Sequence, residues 1–350
     1  MRISYRGTRA TVLAVVSVAV LGWGVYAGIN HKSDIPRDYD RNAWKAKYTR
    51  PSSIPFPADN QFSKERELLG RTLFFDPRLS GSKITACATC HNPGLSWGDA
   101  LPIAIGQGMK PLSRRTPTIL NTAWSELLFW DGRAESLEEQ ALSPISAPKE
   151  MNQPLDRMIA NVSSIPGYQA MFHSAYPGEA ITPKTVARAI ATFERTVVSG
   201  QAPFDDWVSG RESAISEAAK KGFDLFNTKA ACQKCHGGWN FTDDGFHDVG
   251  LADDDLGRGV ELPLASMQHA FKTPTLRNVD VRGPYMHNGS ERSLADVIEL
   301  YDQGGRKKRP SLAPEVVPLH LTAQEKANLI AFLKTLTSHD KPVEIPVLPR

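Results

Sequence analysis

Two short stretches constrain this chain more than anything else in it. "ACATCHNPG" sets Cys87, Cys90 and His91 in the order C-x-x-C-H, and "ACQKCHGGW" repeats that order with Cys232, Cys235 and His236. The chain has 4 cysteines, and these two stretches use all of them. Two C-x-x-C disulfides or one tetrahedral zinc site would also consume four thiols, but neither needs a histidine after each second cysteine. C-x-x-C-H is the attachment signature of a c-type haem. Two thiols form thioethers to the vinyl groups, and the adjacent imidazole reaches the iron. The chain is therefore expected to carry two covalently bound c-type haems, with His91 and His236 as proximal iron ligands.

The surroundings of the motifs repeat as well. Gly70 stands four residues before Phe74 and Gly222 four before Phe226, each in a helical apolar pattern that runs into the cysteines. Two later segments, "ITPKTVARAIATFERTVVSG" from Ile181 and "LTAQEKANLIAFLKTLTS" from Leu321, also align. Their caps pair Thr182 with Thr322, and with them Ala187 with Ala327, Ile190 with Ile330 and Phe193 with Leu333. Thr182-Pro183 reads as an N-cap followed by proline at the first helical position, and Thr322 with Glu325 as a capping box. Each unit runs helix, haem motif, irregular loops, closing helix. The expected fold is mainly α, with two cytochrome c-like domains at 59–212 and 213–350. The boundary falls in "SGRESAIS", Ser209 to Ser216.

The N-terminus follows other rules. Arg2, Arg6 and Arg9 precede a charge-free run from Thr11 to Ile29. A basic flank before an apolar run is the grammar of export. The run is long enough to anchor in a bilayer, and Val25 with Ala27 also forms a small-residue cleavage site. Residues 1–29 are thus a signal peptide or an inner-membrane anchor, and the rest is expected in the periplasm. Residues 30–58 read as a polar, proline-punctuated linker. A length of 350 residues, 41% apolar and 23% charged, accommodates two ordinary domains, and a net charge of +3 is too small to argue for nucleic acid. The basic run "GRKKRP" (305–310) reads as a solvated loop, and the acids near Asp243 and Asp253 as solvated turns.

The segment "LLFWDGRAESLEEQALSPISAPKEM" (127–151) closely resembles one that marks the bacterial dihaem cytochrome c peroxidase and MauG family, and "FKTPTLRNVDVRGPYMHNGS" (271–290) resembles that family's second-domain segment. The resemblance spans residues 65–337. It implies an enzyme that uses hydrogen peroxide to form high-valent haem iron and then oxidises a partner. By motif, Glu150 falls at the catalytic carboxylate, Gln140 at a neighbouring distal-pocket position and Trp130 at the tryptophan between the haems. The loop that carries an iron-capping histidine in typical peroxidases reads "AIGQGMK" here, with Gln107 at that place. Glutamine is a poor iron ligand, so the first haem is expected to be open, unless Met109 caps it. Tyr301, seven residues after Leu294, falls where typical peroxidases use methionine and MauG uses tyrosine as the second haem's far ligand. Met286 and His287 are the rival ligands.

Three departures from the family pattern stand out. Arg115 replaces the asparagine that binds calcium between the haems, and Arg282 replaces a threonine nearby, so calcium is expected to be absent, with guanidinium charge in its place. Ala230 replaces a surface tryptophan that MauG uses toward its protein substrate, and Trp239 is the nearest alternative. Three functions stay open: a MauG-like enzyme acting on a protein residue, a conventional peroxidase drawing electrons from a periplasmic cytochrome or quinol, and a non-enzymatic dihaem electron carrier.

Overall fold

The computed structural model describes residue 36, residues 38–340 and residues 342–350; the expected export segment lies outside the described residues. Eleven α-helices occur among them: α1 (Arg41–Ala46), α2 (Lys64–Phe74), α3 (Cys87–Cys90), α4 (Leu137–Ser146), α5 (Leu155–Ser163), α6 (Pro166–Ala175), α7 (Pro183–Thr196), α8 (Pro203–Val208), α9 (Glu217–Asn227), α10 (Leu294–Asp302) and α11 (Ala323–Lys334). The described strand content is one antiparallel pair, Phe246–His247 with Phe271–Lys272. None of the described helices is long and apolar enough to cross a membrane.

Each unit is built on one crossing of two helices. At Gly70 of α2, an added Cβ would sit 1.9 Å from the Ala189 carbonyl oxygen and 3.0 Å from Phe193 Cβ of α7. At Gly222 of α9, it would sit 2.0 Å from the Asn328 carbonyl oxygen and 2.7 Å from Phe332 Cβ of α11. Only glycine lets the backbones approach so closely. The aromatic partners repeat, with Phe74–Phe193 centroids at 5.2 Å and Phe226–Phe332 at 5.1 Å.

This packing corrects the register expected from the caps. Phe193 occupies the place of Phe332, not of Leu333. The helices of the second unit start one residue nearer the crossing. Ser63 caps seven residues before Gly70 but Ser216 six before Gly222, and Thr182 caps eleven before Phe193 but Thr322 ten before Phe332.

Two apolar cores result. The first gathers Leu69, Leu73 and Phe74 with Tyr168, Phe172, Ile190 and Phe193. The second gathers Phe223, Phe226, Phe241 and Phe332. Three segments pack across the expected domain limits. Phe204 and Trp207 of α8 belong to the second core, although they precede residue 213. The expected linker is structured from α1 onward. Tyr48 is buried in the second core and donates to Asn227 Oδ1 at 2.7 Å, and Arg41 Nε donates to Asp224 Oδ1 at 2.8 Å. The C-terminal tail returns to the first unit, where Arg78 Nη1 and the Gly167 amide donate to the carbonyls of Pro349 and Arg350, each at 3.1 Å. The basic run is exposed but tied down: Arg306 pairs with buried Glu291, Lys307 with Asp254, and Arg309 with buried Asp248 at 2.6 Å.

Candidate active site

A continuous cavity of about 740 Å³ reaches both C-x-x-C-H motifs. Its walls carry Cys87, Cys90 and His91 from the first unit and Cys232, Cys235 and His236 from the second, and none of the four cysteines is in a disulfide. The two histidines are held alike. His91 Nδ1 donates to the Trp97 carbonyl at 3.2 Å, and His236 Nδ1 to the Phe241 carbonyl at 2.9 Å. Both carbonyls come from residues in the left-handed region, Trp97 at φ 63° and Phe241 at φ 54°. A non-glycine residue there costs roughly 1–3 kcal/mol, a strain typical of functional sites. With Nδ1 engaged, Nε2 keeps its lone pair for a metal, and burial lowers both imidazole pKa values, which favours the neutral ligand form. Two thiols and one oriented imidazole per unit, on a mostly apolar wall, fit one c-type haem per unit.

The first unit's half of the cavity holds the expected catalytic groups. Gln140 lies on α4, whose Ser136 cap accepts from the Glu139 amide at 3.1 Å. The chain then turns so that Glu150 meets the same wall. The Glu150 and Asn152 amides both donate to the Ala147 carbonyl at 3.0 Å, and buried Met151 sits beside them. Burial raises the Glu150 carboxyl pKa and Arg133 partly opposes it. The loop with Gln107 is pressed against this turn. The Gln107 amide donates to the Lys149 carbonyl at 2.9 Å, and Gly106 is needed because a Cβ would lie 2.0 Å from that oxygen. Neither Gln107 nor Met109 is among the cavity-lining residues, and Met109 is 82% exposed.

The second unit's half carries Tyr301. Leu294, Val297, Ile298 and Tyr301 line the cavity from one face of α10, at the spacing of a single helical stripe. Burial raises the Tyr301 phenol pKa. The rivals Met286 and His287 also line the cavity. The His287 ring stacks on Phe271 at 3.5 Å and its Nε2 lies 3.3 Å from Asp253 Oδ2.

Trp130 joins the two halves. Its indole N–H donates to the Arg115 carbonyl at 3.0 Å, its own carbonyl accepts from the Lys272 amide at 2.8 Å, and its ring lies 6.4 Å from that of His287. Beside it, Arg115 Nη2 donates to the Arg282 carbonyl at 2.9 Å, and Arg282 Nη2 donates to the Thr275 carbonyl. Both guanidiniums line the cavity with their Nε atoms unpartnered. Ala230 is buried, and half-buried Trp239 packs edge-on against Trp124 at 4.7 Å.

The acids expected in solvated turns have partners. Asp253 accepts from the Asp255 amide and from Asn288, and Asp243 from the Gly245 amide and His247. Cys235, Asp243 and His247 present ligand atoms within 4.8 Å of one another, but a thioether leaves Cys235 no thiolate for a metal. Sequence reasoning missed the two carbonyl acceptors on left-handed residues, Trp97 and Phe241, which no motif marks. It also missed a buried carboxyl, Glu194, which lines the first half of the cavity at the position of Leu333.

The family model described as di-haem cytochrome c peroxidase matches residues 64–213, and that described as cytochrome c matches residues 219–337. Methylamine utilization protein MauG of Methylorubrum extorquens is 50% identical over 314 residues, covering 89% of each chain. Cytochrome c551 peroxidase of Pseudomonas aeruginosa is 34% identical, covering 85% of this chain and 86% of its own. Among solved structures, a MauG-like protein associated with microbial copper homeostasis superposes with TM-score 0.77 at 33% identity, covering 82% of this chain and 94% of that one.

Proposed function

Because this chain belongs to the family of di-haem cytochrome c peroxidases and MauG, oxidoreductases that act on peroxide with two c-type haems, we propose that it is a periplasmic enzyme of the MauG-like kind, oxidising a residue of a partner protein. The observation that carries this reading is that neither Gln107 nor Met109 lines the cavity that His91 and Glu150 share. The Gln107 backbone amide is bonded to the Lys149 carbonyl, and Met109 faces solvent. The first haem site then needs no prior reduction to expose it.

When bound, the haems supply the redox centres at which peroxide is reduced to water and oxidising equivalents are held. His91 and His236 would hold them from one side, with thioethers from Cys87, Cys90, Cys232 and Cys235. Tyr301, on the same cavity wall as His236, would help hold the second haem. The chain's own residues do the acid–base work. Glu150, in its ionised form, takes a proton from peroxide on one carboxylate oxygen and returns it to the departing oxygen. Gln140 orients that exchange from α4. Trp130, bonded into both units, offers the π-system between the two sites. Arg115 and Arg282 bring fixed positive charge to the place where the family's calcium would sit, so calcium is not needed.

The test is an EPR spectrum of the ferric holoenzyme before and just after one equivalent of peroxide. The reading expects one high-spin and one low-spin signal, both lost without prior reduction. Two low-spin signals indifferent to peroxide until half reduction would refute it. The second reading is a conventional peroxidase fed by a small cytochrome, favoured by the 34% identity to a cytochrome c551 peroxidase. Sustained turnover with a reduced cytochrome would select it.

A further inference from the structure

Glu194 is a buried acid that the chemistry above leaves unused. It lies on α7, is 4% exposed and lines the cavity. Its Oε2 has no hydrogen-bond partner among the described residues. A buried carboxylate oxygen with no donor makes ionisation costly, and a carboxyl packs no better there than an apolar side chain would.

The internal repeat separates packing from function. In the register set by the helix crossings, Phe193 corresponds to Phe332 and Glu194 to Leu333. Leu333 also lines the cavity and is 8% exposed. The second unit closes around its motif with a leucine at this position, so the fold does not require a carboxyl there. The asymmetry belongs to the unit whose iron is open to peroxide.

The charges around Glu194 are few. On its own helix, Arg195 is already engaged by Glu138 of α4 through two hydrogen bonds of 2.7 and 2.8 Å. From α3, the Cys87 side chain faces it, and as a thioether that group carries no charge. Burial pushes the Glu194 carboxyl up to about 8, with Arg195 opposing and Glu138 reinforcing.

We infer that Glu194 is the redox-linked proton site of the first unit, taking up one proton when the haem held by Cys87, Cys90 and His91 gains an electron and releasing it when that electron leaves. The inference rests on the proposed function and deepens it. In the forward step a one-electron donor, the electrode or a reduced cytochrome, gives one electron to ferric iron and is itself oxidised by one electron, and one proton passes from solvent water to a Glu194 carboxylate oxygen. The added electron lowers the local charge, and the proton restores it inside a low-dielectric wall.

Spectroelectrochemical titration of the holoenzyme from about pH 6 to about pH 9 reads this directly. The first haem's midpoint potential should fall as pH rises, by about one proton per electron near the carboxyl pKa. Glu194→Gln should flatten that dependence and leave the second haem's unchanged. Glu194→Leu, which copies the second unit, should do the same and guards against a folding artefact of the first variant. Redox-difference infrared spectra should show a protonated-carboxyl band that shifts in D2O, survives Glu150→Gln and is absent without Glu194. A wild-type protein with no such band, or a pH dependence that persists in both Glu194 variants, would overturn the assignment. Loss of peroxide reactivity in Glu150→Gln alongside that result would leave the proposed function standing and remove only this inference.

Discussion

Glu150 and Glu194 are two carboxyls on one cavity wall, raised by the same cause and suited to different tasks. Glu150 ends a short turn beside Met151, with Arg133 acting on it from the same wall. It must be ionised to accept a proton, so the rate of the peroxide reaction should fall as pH drops through its raised pKa. Glu150→Gln should slow that reaction by about 10²–10⁴-fold and abolish the pH dependence, with haem content unchanged, as stopped-flow spectra would record. As the proposed iron ligand, Tyr301 should set the character of the other half. An anionic oxygen ligand favours ferric iron, whereas a thioether favours ferrous. Tyr301→Met should therefore raise the second haem's midpoint potential in a spectroelectrochemical titration, and an unchanged potential would remove Tyr301 from the coordination sphere.

At the scale of elements, the two helix crossings are the structural unit that the chain uses twice. Each depends on a glycine set against a carbonyl oxygen of the partner helix. Alanine there must push α2 from α7, or α9 from α11, and overpacking of this kind costs about 1–3 kcal/mol. Gly70→Ala and Gly222→Ala should each lower the thermal midpoint of the holoenzyme, and an unchanged midpoint would show that the helices separate freely. The crossings were legible in the sequence as a repeat, since Gly70, Phe74, Gly222 and Phe226 keep their spacing. Their register was not, because caps mark where a helix starts and not where it is crossed. That single-residue slip hid the exchange of Glu194 for Leu333. Both haem motifs were legible because attachment chemistry demands contiguous residues. The carbonyls of Trp97 and Phe241 were not, because a backbone oxygen carries no letter in the sequence.

Across the whole molecule, the chain does not respect the boundary that its repeat suggests. Phe204, Trp207 and Tyr48 all serve the second core from positions before residue 213, and the C-terminal carbonyls bond back to the first unit. Composition cannot reveal such exchange, because a proline-punctuated segment looks like a spacer until it finds a core to enter. The place where the units meet is occupied by Trp130, Arg115, Arg282 and His287. A chelator challenge bears on this junction. Removal of calcium from the buffer should leave the thermal midpoint and the peroxide reaction unchanged, and one tightly held calcium per chain in a metal analysis would contradict that. The Arg115 guanidinium on the Arg282 carbonyl is a positive charge attached by covalent bonds. It has no dissociation constant, cannot be diluted or competed away, and is present from the moment the chain is made. A junction assembled this way is inherited with the gene rather than drawn from the surroundings, and under the proposed reading the calcium content of the medium should lose its hold over the contact between the two units.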